Sequence, residues 1–196
     1  PKSSLNVAIV GKYVDIGQYS LSDSYISINH ALMHAGAAFN AGIKIEWIDA
    51  KRFERNSNRL KELSKYDGII VPGGFGSSGV EGKIHTAGYA RRNNIPYLGL
   101  CYGMQLAIVE FARNVCGLKD ANTTEVNKKT RHPVIDILPS QKALLEKSQY
   151  GGTMRLGAYS AVMKDNSRVL KLYRETGRLQ DDTERLALLK RQKEHR

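Results

Sequence analysis

Cysteine is scarce in this chain: its 196 residues hold two, Cys101 and Cys116. That excludes a disulfide framework and points to a reducing compartment, with the cytoplasm as the expected location. No apolar run approaches the length of a membrane span, and the first residues lack the apolar core of a signal peptide. Internal repeats and low-complexity tracts are absent as well. Acids are in deficit, 19 Asp and Glu against 30 Lys and Arg, for a formal charge of +11. Such an excess invites a nucleic-acid reading. The basic residues are dispersed, however, and from Arg168 onward they are mixed with acids. Without an aromatic stacking ladder or a base-reading helix, the charge reads as a solvated surface that attracts acidic or phosphorylated partners, with neither nucleic acid nor membrane expected.

Apolar residues make up 41% of the chain, enough for the core of one α/β domain of this length. Leu5 to Val10 reads as a first strand, followed by a loop from Lys12 to Ser22. A helix then begins at Ser22 or Asp23 and stops at Gly36. Ile43 to Ile48 is a second strand with Trp47 as a core anchor, and Phe53 to Leu63 a short polar helix. Gly68 to Val71 is a strand, Gly82 to Arg92 a helix, and Ile95 to Leu100 a buried strand. This alternation demands right-handed crossovers and a doubly wound, mainly parallel sheet with helices on both faces. Past Gly117 the pattern weakens. Asn122 to Glu125 reads as a loop or helix start, and alternation from Gly151 to Met163 suggests a small antiparallel extension. The domain is expected over residues 1–175. Residues 176–196 form an unassigned charged segment in which Leu179, Leu186 and Leu189 could make a short amphipathic helix.

The chemistry concentrates at Cys101. Leu106, Ile108, Val109, Phe111, Ala112 and Val115 recur at helical spacing up to Gly117, so the cysteine stands where a strand gives way to a helix. Gly99 and Gly103 flank it in a Gly-x-Cys-x-Gly pattern, the sulfur counterpart of the elbow that lifts a nucleophilic serine above a sheet. The free N–H groups and dipole of the new helix favour thiolate over thiol. Cys116 lacks the pattern and reads as an ordinary core cysteine. A second strand ends in Val71-Pro-Gly-Gly-Phe-Gly. If the two strands are neighbours in a parallel sheet, both turns lie at its carboxyl edge, and the Gly74 and Tyr102 amides can form an oxyanion hole facing the thiol.

These residues resemble the class I glutamine amidotransferase domain of the CTP synthase family. The likeness is carried by Val71-Pro-Gly-Gly-Phe-Gly, Glu81-Gly-Lys, Asn93-Asn-Ile-Pro-Tyr-Leu-Gly-Leu-Cys-Tyr-Gly-Met-Gln and Glu110-Phe-Ala-Arg-Asn-Val. Val10-Gly-Lys-Tyr, Asp23-Ser-Tyr, His132-Pro-Val-Ile-Asp and the family-specific Gly151-Gly-Thr-Met-Arg-Leu-Gly extend it as far as Tyr173. The resemblance implies glutamine hydrolysis through a thioester on Cys101, with ammonia passed to a synthase domain. It implies that Gln105 and Glu125 hold the amino-acid end of glutamine, that Phe75 lines the pocket, and that Gly103 and Met104 shape its wall. From the residues alone Glu125 reads equally as a capping carboxylate. Lys12 and Tyr13 fit either the site or a domain contact. No cofactor is implied for this domain. ATP, UTP and magnesium belong to the amidoligase domain, the expected partner in a homo-oligomeric enzyme.

Two departures qualify the likeness. Amide hydrolysis needs a histidine that protonates departing ammonia and activates water, held by a carboxylate. The family's His-Pro-Glu segment, which supplies both, is absent. None of His30, His34, His85, His132 and His195 is followed by Pro-Glu, so no catalytic histidine is assigned and the domain reads as lacking its C-terminal end. Ser78 stands where the family carries an arginine associated with GTP response, which speaks against GTP activation. The alternative to a working glutaminase is a catalytically idle module of the same fold that docks on a partner.

Overall fold

Val7, Ala8, Ile9 and Val10 are apolar in succession and fully or nearly fully buried, the mark of a strand covered on both faces. A computed structural model describes residues 1–11, 25–74, 76–138, 161–180, 183–184 and 187. In it β1 (Ser3–Gly11) lies between β2 (Ala41–Asp49) and β3 (Gly68–Val71), and β4 (Tyr97–Gly99) flanks β3. All three pairings of this β2-β1-β3-β4 sheet are parallel. Ala8 and Val10 pack on one face with Phe53, Leu63, Ile69 and Val71. Val7 and Ile9 pack on the other with Ile70, Ile28 and Leu32. The chain runs outward from β1 to β2, then crosses back over β1 to β3. That reversal of strand order makes the crevice at the strands' carboxyl ends the natural ligand site of such a sheet.

The first helix, α1 (Ile26–Ala38), passes through the expected stop at Gly36 and is followed by a turn at Asn40, whose φ is 53°. Gly36 serves a close approach instead. A Cβ there would stand 2.7 Å from the Ala41 carbonyl oxygen and 2.9 Å from Ile43 Cγ1. The polar helix expected over Phe53 to Leu63 is two pieces, α2 (Lys51–Arg55) and a 3₁₀ helix (Ser57–Lys65). Asn56 separates them in an extended conformation, its side chain accepting the Asn58 N–H at 3.0 Å in place of a helical bond.

Next come α3 (Val80–Arg92) and α4 (Tyr102–Asn114), which pack together through Val80, Ile84, Tyr102, Leu106 and Val109. Past α4 the chain turns at Gly117 with φ 75°, and Leu118 N–H closes on the Ala112 carbonyl at 3.0 Å. Cys116 is exposed, not a core residue, because this turn carries it off the packed face of α4. Asn122 to Glu125 is part strand and part loop: Asn122–Thr123 is a short strand, β5, paired in parallel with β6 (Pro133–Ile135), and Thr124 and Glu125 follow in a turn closed by Val126 N–H on the Thr123 carbonyl at 3.1 Å. The antiparallel strands expected from Gly151 to Met163 fall mostly on residues 151–160, outside those described, as do Leu186 and Leu189. The chain divides into two compact units, Pro1–Lys142 and Ala143–Arg196. The second contains α5 (Arg168–Glu175), whose first turn is capped by the Ser167 hydroxyl at 3.2 Å from Leu170 N. Among the described residues no helix is long and apolar enough to cross a membrane.

Candidate active site

Cys101 lies between β4 and α4 with φ 51° and ψ −108°, a backbone conformation that crowds any side chain. The surrounding structure imposes it. Leu100 N–H bonds to the Val71 carbonyl at 2.9 Å, continuing the β3–β4 ladder up to the cysteine. Directly after it, Met104 and Gln105 N–H groups close on the Cys101 carbonyl at 3.1 and 3.2 Å, starting α4. The chain must reverse within one residue, and the flanking glycines make that possible. A Cβ on Gly99 would stand 2.6 Å from Met104 N and 2.7 Å from the Gly103 carbonyl carbon. A Cβ on Gly103 would collide with the Val71 carbonyl oxygen and lie 2.8 Å from its carbon. The Gly-x-Cys-x-Gly pattern therefore records two backbone contacts. The thiol itself is exposed.

The glycine-rich turn after β3 comes to the same place. A methyl on Gly73 would touch Cys101 Cβ at 3.5 Å and Sγ at 4.0 Å. Among the described residues, neither the Gly74 nor the Tyr102 N–H meets an acceptor. The turn is held from several sides. Tyr102 Oη donates to the Gly76 carbonyl at 3.0 Å, while Gly76 N–H donates to Glu125 Oε1 at 2.6 Å. Tyr25 Oη reaches the Gly73 carbonyl at 3.4 Å, and its ring stacks on Trp47 with centroids 5.4 Å apart. Burial, with the Glu125 carboxylate adding to it, pushes the Tyr102 phenol up to about 12, so it stays a donor. Tyr97 Oη donates to the Gly103 carbonyl at 3.0 Å and is likewise raised, chiefly by burial.

Cys101, Gly74, Tyr102, Gly103 and Glu125 are thus brought together, and Phe75 lies outside the described residues. Gln105 occupies the first turn of α4. Met104, 51% exposed, lines an apolar groove of about 530 Å³ with Tyr97, Ile108 and Phe111. Cys101 does not line that groove, which offers little to the charged end of an amino acid. The four described histidines lie elsewhere in the fold. His30 and His34 are exposed on α1, His85 Nδ1 is 3.5 Å from the Phe53 carbonyl, and His132 Nε2 is 3.3 Å from Asp120 Oδ1.

Sequence reasoning missed two residues at this site. Tyr25 was legible only as part of a motif, and nothing in it announced a bond to Gly73. Lys83 was quoted within Glu81-Gly-Lys without a role. It is 1% exposed, and its Nζ lies 5.5 Å from the centroid of the Tyr102 ring.

A cysteine on a strained strand-to-helix elbow, faced by a glycine turn at the carboxyl edge of a doubly wound sheet, defines an α/β protein of the nucleophile-elbow type. The chain belongs to the class I glutamine amidotransferase family, whose model matches residues 20–179. It is 50% identical over 178 residues to a CTP synthase of Methanocaldococcus jannaschii, a match covering 88% of this chain and 32% of that protein. A CTP synthase of Thermococcus kodakarensis is 50% identical over 170 residues, covering 87% of this chain and 30% of that one. The chain thus spans about a third of the length of these relatives. Among solved structures, the CTPS glutaminase domain of Trypanosoma brucei with bound acivicin matches at a TM-score of 0.63 and 40% identity. That match covers 69% of this chain and 50% of the other.

Proposed function

We propose that this chain is the glutaminase domain of a CTP synthase and that Cys101 is its nucleophile. The observation carrying this reading is the exposed thiol on its elbow beside two amides, Gly74 and Tyr102, that have no acceptor among the described residues. In the reaction the Cys101 thiolate adds to the γ-carboxamide carbon of glutamine and the carbonyl electrons move onto oxygen. The two amides stabilise that oxyanion, each worth on the order of 3 kcal/mol. Collapse breaks the C–N bond, ammonia leaves with an added proton, and water cleaves the thioester to glutamate. Gln105 and Glu125 hold the substrate's amino-acid end, with Phe75 and Gly103 around it, while Met104 lines the apolar groove apart from the thiol. For Glu125 to do so, its carboxylate exchanges the Gly76 N–H for the substrate ammonium or shares itself between them.

On this reading ammonia passes to an amidoligase domain that uses ATP, UTP and magnesium to make CTP in a cytoplasmic homo-oligomer. Ser78, standing where the family carries an arginine, weighs against GTP activation of that enzyme. The positions of the four described histidines favour a further statement: this chain alone hydrolyses glutamine slowly, since none of those four stands at the thiol as a proton carrier. A glutaminase assay on the purified chain tests it, and turnover comparable with a complete amidotransferase refutes it. The same histidines favour the second reading, an idle docking module. A chloromethyl ketone analogue of glutamine separates the two. Both cysteines are exposed, so access alone cannot direct the label. The glutaminase reading requires the adduct on Cys101, suppressed by free glutamine. An adduct on Cys116, or labelling that glutamine does not slow, removes it.

A further inference from the structure

Two segments that carry the family likeness but no role at the thiol, Glu81-Gly-Lys and Glu110-Phe-Ala-Arg, meet in one ion pair. Arg113, in the last turn of α4, donates from a terminal nitrogen to both carboxylate oxygens of Glu81, at 2.8 and 3.0 Å. Its Nε donates to the carbonyl of the fully buried Ala121 at 2.7 Å. The Arg113 side chain is 18% exposed, while Glu81 is the wetter partner at 43%. A half-solvated ion pair stabilises little by itself, so its interest lies in what its two ends are attached to. Glu81 stands in the first turn of α3, a short stretch of chain after Gly76, and its N–H is held by Glu54 Oε1 at 3.0 Å. Ala121 leads directly into β5 and the turn that carries Glu125, whose N–H closes on the Thr123 hydroxyl at 3.2 Å. Glu125 Oε1 then accepts the Gly76 N–H at 2.6 Å. The contacts close a ring: along the chain from Gly76 to Glu81, across Arg113 to Ala121, on to Glu125, and back to Gly76.

We propose that Arg113 is a positioning residue: it fixes where Glu125 stands relative to the glycine-rich turn and so sets recognition of the substrate's α-ammonium. The inference rests on the glutaminase reading, in which Glu125 gives up the Gly76 N–H to that ammonium or shares itself between the two. When that bond is given up, the Arg113 clasp still holds the two strips of backbone at their spacing. A carboxylate held in place is preorganised for one ammonium position, and a displacement of about 1 Å from a distant change is enough to lose that advantage. Arginine suits the task because its planar fork reaches a carboxylate and a carbonyl together in fixed directions, which a lysine ammonium on a flexible stem does not. Arg113 acts through β5 and not on the reacting atoms. It pairs with a residue 32 positions away, so in the sequence each partner reads only as a charge near a helix end.

The test reads ammonium recognition separately from the thiol. Iodoacetamide alkylates Cys101 in the full chain, the S–C bond forming as iodide leaves and the thiol proton passing to buffer. Mass spectrometry of the Cys101 peptide follows the rate, with L-glutamine or the monoamide of glutaric acid added as protectant. The monoamide is glutamine without its α-ammonium, so the ratio of the two half-protecting concentrations measures what Glu125 contributes. In Arg113→Met the preference for glutamine should fall about tenfold, while protection by the monoamide and the unprotected rate stay within about threefold of wild type. Added to Glu125→Gln, Arg113→Met should change the preference by less than about twofold, because the carboxylate it positions is gone. An unchanged preference in folded Arg113→Met overturns the proposal. A loss that falls equally on both protectants overturns it too, since that marks a purely structural clasp. If Arg113→Met does not fold, the preference is read on Arg113→Lys, where it should fall at least about threefold. An unchanged preference there, or failure of both variants to fold, also overturns the proposal. A wild-type Cys101 that glutamine does not protect brings down the glutaminase reading, and this inference with it. Protection without preference over the monoamide overturns this inference and leaves Cys101 as the nucleophile.

Discussion

Replacing Gly103 by alanine adds one methyl group where the structure has no room for it. The new Cβ would run into the Val71 carbonyl oxygen, 2.8 Å from its carbon and 3.0 Å from Val71 Cγ1. The obstacle is backbone, so no rotamer change relieves it. The same stretch of β3 already accepts the Leu100 N–H, and the residue after Val71 leads into the glycine-rich turn. Either α4 lifts from β3 or the Val71 peptide moves, and both distort the elbow. Overpacking of this kind costs about 3 kcal/mol when the neighbour is rigid. For a chain of this size each kcal/mol moves the thermal midpoint by roughly 2–4 °C, so Gly103→Ala should melt about 6–12 °C lower. Gly68→Ala is the internal control, since its Cβ would meet nothing nearer than the Pro96 carbonyl at 3.8 Å. It should shift stability by no more than about 0.5 kcal/mol. The assay is thermal or urea unfolding of the two variants beside wild type, together with alkylation of Cys101 by the chloromethyl ketone. A Gly103→Ala chain with a wild-type midpoint and wild-type labelling refutes the close approach of α4 to β3.

Three further outcomes follow from the geometry of the site and its surroundings. Cys101→Gly should be more stable than Cys101→Ala by roughly 1 kcal/mol, because relief of about 1–3 kcal/mol of backbone strain outweighs the chain entropy of glycine; urea midpoints in the opposite order contradict the strain at φ 51°. Arg91 clasps the buried Glu110 at 2.8 and 3.0 Å, so Arg91→Met should lower the urea midpoint by leaving that buried carboxylate to the Asn114 amide at 3.1 Å. The double variant Arg91→Met with Glu110→Met should recover at least half of that loss in the same melt. The Tyr102 phenol, raised above its ordinary value of 10 to about 12, is protonated in both folded and unfolded chains at neutral pH. Its contribution is therefore complete below pH 10 and is lost as pH rises from about 10 to 12. Tyr102→Phe should flatten the alkaline limb of a stability-against-pH profile, and an unchanged limb counts against the buried phenol.

Much of this molecule was legible in the order of its residues. The unbroken apolar run at Val7 to Val10 can only be covered from both sides, which prescribes a parallel sheet with two helical layers. Glycines spaced two residues either side of Cys101, between an apolar run and a helical periodicity, identify an elbow because only there do both neighbours need to lose their side chains. Other glycines carry no such label. Gly36 reads as a helix stop, yet α1 runs through it, because its missing Cβ makes room for the Ala41 carbonyl on the next strand. Glu125 was open between two readings because its partner, Gly76, is 49 residues away, and only the return of β5 beside α4 brings the two within 2.6 Å. Cys116 followed the same logic in reverse. A cysteine is usually buried, but the Gly117 turn, a local event, decides which way this one faces.

Local pattern thus determined the elements and the identity of the reactive turn, since both are set by residues close in sequence whose periodicity or backbone demands are written side by side. Tertiary structure alone decided what surrounds that turn. The Gly73 carbonyl meets Tyr25, the Gly76 peptide is pinned by Tyr102 and Glu125, and Lys83 lies behind Gly74. Those contacts join five separate segments at the carboxyl edge of one sheet. Their physical cause is the crossover that places β3 between β1 and β4, a long-range event that no short window of residues encodes.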